Sequence, residues 1–189
     1  MQPEFLKKKI VEDFTVYAKF SKLSGSWILS AQRLKNAADH LKKVIRAAEK
    51  RIEIVPILEL ADDLELFRPY CLLIGFAFEN LLKAKLVRTR PDIISFDMKK
   101  DKINLEWKTH DLWDLANELK KSYYLELTPP EEEILCHLTL YVVWKGRYPT
   151  PKEKRSLSIR AGKCATFLNN YDLIDNLYEK IKDCLPKSL

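Results

Sequence analysis

The chain has 189 residues, 47% of them hydrophobic and 32% charged, which is enough for one full core and too apolar for a disordered polymer. Lys and Arg outnumber Asp and Glu by 33 to 27, and the resulting net charge of +6 permits a polyanionic partner without requiring one. With only 4 glycines, neither a hairpin-rich fold nor a glycine-lined phosphate cradle fits, and no apolar run approaches the ~20 residues that span a bilayer. Residues Met1 to Lys9 carry charge with no apolar stretch behind them, unlike a secretory leader, so a soluble cytoplasmic protein with no membrane contact is expected.

Residues 1–25 read as an N-terminal helical extension, and 26–185 as a single all-α bundle domain. Between Ser26 and Ile54, Trp27, Ala31, Leu34, Ala38, Leu41, Ile45, Ala48 and Ile52 recur at three- and four-residue steps, which predicts one long amphipathic helix. Lys35, Lys42, Lys43, Arg46, Glu49 and Lys50 fall to its other side and read as a basic, solvated face; Pro56 ends or kinks it. A second long helix is predicted from Asp62 to Arg88, with Pro69 in its first turns. Its stretch from Tyr70 to Leu82 is apolar almost all round, as suits the central helix of a bundle.

The helical pattern weakens over 92–107. Short alternations at Ile93–Asp97 and Ile103–Trp107 flank a charged, turn-like segment, and fit a hairpin or an irregular insertion equally. Thr109 is positioned as the N-cap of a helix from His110 to Tyr123, with Leu112, Leu115, Ala116 and Leu119 inward. Thr128, Pro129 and Glu131 form a capping-box signature for a helix reaching Lys145, where Gly146, Pro149 and Pro151 stop it. After the basic link Lys152–Arg155, a last helix is expected near 163–185. The count is five or six helices. Cys71, Cys136, Cys164 and Cys184 share no ligand spacing and read as reduced thiols.

Within this frame a few polar residues carry chemistry. Glu79 and Lys83 are four apart, acid first, on a helix apolar on most sides; a buried carboxylate needs a partner, and Lys83, His110 or Arg147 can supply it. The pair lines a polar cleft or is a structural ion pair. His110 at a helix N-terminus is placed to act as a neutral base or to hydrogen-bond a phosphate, or else it supports the cap. Asp111 orients that imidazole or answers the helix dipole. Arg147, held before Tyr148-Pro149, offers a planar fork to a phosphate, or caps helix carbonyls and pairs with Glu79. Trp107, Trp113, Tyr123 and Tyr124 give a stacking surface or, more simply, core and dimer interface. No metal-ligand set surrounds His40, His110 or His137, so neither metal nor cofactor is expected.

Three segments in order, Gly75-Phe76-Ala77-Phe78-Glu79-Asn80-Leu81-Leu82-Lys83-Ala84, Thr109-His110-Asp111-Leu112 and Gly146-Arg147-Tyr148-Pro149, resemble the HEPN family over residues 64–150. The resemblance implies an antiparallel helical bundle that pairs as a homodimer through its central helices. It also implies RNA or nucleotide binding in a cleft where Glu79, Lys83, His110, Asp111, Arg147 and Tyr148 converge. For members that cleave RNA without metal it makes His110 and Arg147 the catalytic pair, and it suggests an antitoxin or nucleotidyltransferase as partner. The family's ribonucleases carry an arginine and a histidine with four to six residues between them. Here that spacing occurs only as Arg33 to His40, outside the matched region. The alternative is therefore a non-catalytic interaction or dimerisation domain on the same fold.

Overall fold

The computed structural model describes residues 16, 19–52, 54–55, 57–97, 102–106, 109–145 and 170–186. Among the described residues the bundle is built from α1 Ser24–Glu49, α2 Ile57–Glu65, α3 Phe67–Thr89, α4 Leu112–Ser122, α5 Pro129–Leu140 and α6 Tyr171–Asp183. Two short strands, β1 Ile94–Asp97 and β2 Lys102–Leu105, form an antiparallel hairpin between α3 and α4 with Ile94 opposite Leu105. The chain is an all-α helical bundle, and its weakly patterned stretch is a hairpin.

Helix α3 is central because its sequence leaves no polar face. From Tyr70 to Val87 nearly every side chain is buried, Ile74, Ala77, Phe78 and Leu82 completely. Contacts along its length set the directions of its neighbours. The N-terminal half of α1 meets α3 where Trp27 and Asn80 border one hollow, while Arg46 near the other end of α1 covers Tyr171, which packs on Tyr70. So α1 runs antiparallel to α3. Along α6, Tyr171 meets Tyr70, Tyr178 meets Phe78, and the carbonyls of Lys182 and Cys184 accept from Lys85, so α6 runs parallel to α3. The edge-to-face pairs Tyr70–Tyr171 and Phe78–Tyr178, with centroids 5.4 and 5.5 Å apart, each contribute ~1 kcal/mol beyond their buried area.

Helices α4 and α5 pack antiparallel. Lys120 meets Glu132 at one end, and the amide of Leu112 donates to Thr139 Oγ1 at the other. The α3–α5 contact is close because Gly75 lacks a Cβ: one placed there would lie 2.6 Å from Val142 Cγ2. Val142 belongs to a π-helical turn, Tyr141–Lys145, that continues α5.

Several expectations are corrected. The stretch 62–88 is two helices, because the chain breaks at Leu66 and restarts so that Pro69 falls at the third residue of α3, where a missing N–H costs least. Helix α1 stops at Glu49, which leaves Ile52 beyond it and 40% exposed rather than inward. The N-cap of α4 is Asp111, not Thr109: its Oδ1 accepts from the amides of Trp113 and Asp114, while Thr109 Oγ1 accepts from the amide of Asp111 itself. Lys35 and Lys42 do not lie on a solvated face. They turn toward α6, where Asp175 is an ion-pair partner of both, with Asp39 between them. The capping box at Thr128 holds, with Glu131 Oε2 accepting from the Thr128 amide at 2.7 Å. The expected starts of the last helix at 163–169 and of the N-terminal extension at 1–15 lie outside the described residues, as does Cys164.

Candidate functional site

Glu79 sits on the fourth turn of α3, among residues that are buried around the whole helix, and only 6% of it is exposed. Such a carboxylate must find donors, and it finds two on one oxygen. Oε1 accepts from Lys83 Nζ, one turn along and itself 5% exposed, and from His110 Nδ1 at 2.9 Å. Oε2 is buried and has no hydrogen-bond partner. A carboxylate accepts only, so the imidazole bond fixes hydrogen on Nδ1 and leaves Nε2 as the ring's free nitrogen. The His110 side chain is 57% exposed, so that nitrogen is presented outward from a rigid, buried anchor.

The backbone at His110 is held by its neighbours in sequence. One residue before it, Thr109 accepts from Asp111 N at 2.9 Å. Two residues after it, the first amide of α4 donates to Thr139 Oγ1, also at 2.9 Å, and that hydroxyl donates on to Leu135 O. The histidine is thus placed by α3, α4 and α5 together. Asp111 is occupied as the α4 cap, and no hydrogen bond joins it to His110.

Beside Thr109 opens a cleft of about 320 Å³. Its floor is apolar, with Leu86, Ile93 and Leu115. Its rim carries Arg90, Glu106, Asp114 and Glu118. Arg90, at the end of α3, reaches across to Glu106 after the hairpin (2.9 Å) and to Glu118 on α4 (3.5 Å), tying three elements together. These residues come from the end of α3, the hairpin and α4 and meet only once the chain has folded, so sequence reasoning missed them; the arginine directly before Pro91 is a local hint.

The structure therefore brings Glu79, Lys83 and His110 together. Arg147 and Tyr148 lie outside the described residues, as does Trp107. Of the other aromatics, Tyr123 is core, its hydroxyl donating to Lys85 O; Trp113 packs against the core; Tyr124 is 66% exposed. Cys71 is buried, and Cys136 and Cys184 are half-buried. Among the described residues no group of His, Cys, Asp and Glu could hold a metal ion, and no helix is long and apolar enough to cross a membrane.

Comparison with protein-family models, curated proteins and solved structures gives no match to this chain.

Proposed function

We propose that the chain is a HEPN-like, cytoplasmic helical domain that binds single-stranded RNA or a nucleotide at the surface around His110, and that His110 carries the proton in metal-independent RNA cleavage. The observation behind this reading is the buried Glu79 carboxylate that holds an exposed imidazole by Nδ1 and leaves Nε2 outward. This is the arrangement that orients a histidine for proton transfer. In such cleavage the 2′-oxygen forms a bond to the adjacent phosphorus as its proton passes to Nε2, and the bond to the 5′-oxygen breaks with that oxygen taking a proton from water. Arg147, from the third motif, neutralises phosphate charge. Lys83 is committed to Glu79 and serves as its counter-ion. The cleft beside Thr109 suits a base, since an apolar floor accepts its face and a carboxylate rim accepts from its N–H groups.

The test is a titration of single-stranded RNA at low and physiological ionic strength, together with a cleavage assay in EDTA. Binding that weakens steeply with salt, and cleavage abolished by His110→Ala and lowered at least tenfold by Glu79→Gln, supports the reading. Cleavage unchanged by His110→Ala refutes the role of His110.

A second reading is a non-catalytic homodimerisation or interaction domain. Its support is the apolar surface at and before the start of α1, where Phe20, Leu23 and Leu29 are 52%, 54% and 51% exposed. Sedimentation equilibrium decides it: a dimer that Leu29→Glu dissociates favours this reading, and a monomer throughout the micromolar range removes the homodimer.

A further inference from the structure

Helix α1 divides its charges in an unusual way. Its two acids are drawn inward, Asp39 to Lys35 and Lys42, and Glu49 to the hydroxyl of Tyr171 at 3.1 Å. Its outer side keeps only cations. Among the described residues of 19–52 no acid is exposed, whereas Arg33, Lys43, Lys50 and Arg51 are. At 100° per residue, Arg33, Asn36, His40, Lys43, Ala47 and Lys50 fall within one arc of roughly 100°, opposite the buried Ala31, Ala38 and Ile45. Arg33 to Lys50 spans about 26 Å at 1.5 Å per residue. Among the described residues none of Arg33, Lys43 and Lys50 is held in an ion pair, unlike Arg46, which sits 2.9 Å from Asp172 at the margin of the face.

We infer that the outer face of α1 is a track for the phosphates of a single-stranded RNA. Three unpaired cations spaced along one rigid helix can each neutralise a phosphate, and the residues between them, Asn36 and Ala47, are small enough for a sugar–phosphate chain to lie close. His40 adds to the face: its Nδ1 lies 2.7 Å from Asn36 O, to which it donates, leaving Nε2 outward as a further polar contact. An acidic membrane surface is the weaker match, because Asn36, His40 and Ala47 between the cations form no apolar ridge, and the exposed Leu29 and Val44 stand only at the end and the margin of the face. The track rests on the reading of the chain as RNA-binding but not on any role of His110, so the two can fail separately.

The test is an affinity titration of a 20-nucleotide single-stranded RNA at several salt concentrations. It compares the full chain with Arg33→Gln/Lys43→Gln/Lys50→Gln and with a control, Lys121→Gln/Lys182→Gln, whose lysines are already paired to Glu118 and Glu179. Each lost phosphate contact should flatten the log–log salt dependence by about 0.7 for a single strand, so the triple variant should lose roughly 2 in slope and at least tenfold in low-salt affinity. The control should keep both within twofold, and all three proteins should melt together, because the replaced side chains are exposed and Gln is a good helix former. RNA binding lost in the triple variant while His110→Ala still binds supports the track, whether or not RNA is cleaved. Equal binding by the triple variant and the wild type overturns it even if His110-dependent cleavage is found. So does absence of RNA binding at low salt, or a wild type that binds phosphatidylserine vesicles through these three residues and no RNA.

Discussion

Glu79 spends both of its hydrogen bonds on one oxygen, and this asymmetry separates stability from chemistry at the level of single residues. Lys83 is as buried as the carboxylate it neutralises, whereas His110 is mostly in solvent. Removing Lys83 strands a charge in the core with only an exposed imidazole beside it. Lys83→Met should therefore destabilise the protein by about 3 kcal/mol, and Glu79→Leu/Lys83→Met, which removes both charges, should recover most of that loss. Urea unfolding of the two variants checks it; equal loss in both would mean that the pair is not what holds this part of α3. His110→Ala, by contrast, should stay within ~1 kcal/mol of wild type, as expected of a residue outside the core. That Glu79 needs a partner was legible in the sequence, since an acid in a helix apolar on most sides has no other way to be buried. That Lys83 is a partner followed from the four-residue spacing. That His110 is the other did not follow from any spacing, because it depends on how α4 sits against α3; the sequence offered it only as one of several donors, beside Arg147. The Arg90 clamp on Glu106 and Glu118 was not legible, for its members meet only once the hairpin has folded.

Among the elements, the seam between α3 and α5 is set by one glycine. Within a helix Gly is worse than Ala by about 1 kcal/mol, so a glycine at position 75 signals that space rather than flexibility is needed. Gly75→Ala would push a methyl against Val142, a β-branched side chain with little freedom to turn away. Overpacking of this kind costs about 1–3 kcal/mol and should outweigh the helix-propensity gain. Thermal unfolding should show Gly75→Ala below wild type, and Val142→Ala should suppress that loss, giving a coupling of about 1 kcal/mol or more in the double-mutant cycle. A Gly75→Ala protein more stable than wild type would show that the two helices can separate at no cost. Periodicity fell short at another contact, between α1 and α6. The apolar steps of α1 placed its core face correctly, yet hydropathy alone assigned Lys35 and Lys42 to water, because nothing local announces that Asp175, some 130 residues away, will neutralise them. Boundaries drifted for a related reason: the cap of α4 was assigned to the first plausible residue, Thr109, when Asp111 two positions later reaches two amides.

For the molecule as a whole, the buried tyrosines and the paired acids set opposite limits on stability. Burial pushes Asp39 and Glu131 up, but the bonds from Lys35 and Lys42 to Asp39, and from Lys180 and Thr128 to Glu131, win and hold both below the ordinary carboxylate range. An acid lowered in the folded state contributes stability that is present above its unfolded pKa and lost as the pH falls through the folded one. Stability should thus decline below about pH 4, and Lys180→Met should shallow that decline. At the alkaline end burial raises Tyr70, Tyr123, Tyr141, Tyr171 and Tyr178 above the ordinary value of 10.0, with Tyr141 and Tyr178 pushed up to about 12. Here the unfolded chain gives up its protons first, so stability is whole below pH 10 and falls as the pH rises from there. Lys85 is lowered by the same burial and regains a little stability approaching 10.5, but one lysine cannot offset five tyrosines. Urea midpoints between pH 9 and 11 should fall, with these five of the 8 tyrosines ionising only as the protein unfolds. Tyr70 is the sharpest probe, since its hydroxyl is buried with no hydrogen-bond partner while its ring packs on Tyr171. Tyr70→Phe keeps the ring contact and removes both the stranded hydroxyl and its titration. It should raise stability at pH 7 by about 1 kcal/mol, the cost of a buried unsatisfied group, and should flatten the alkaline loss. A variant less stable than wild type at pH 7 would mean that the Tyr70 hydroxyl is satisfied in solution by a bound water.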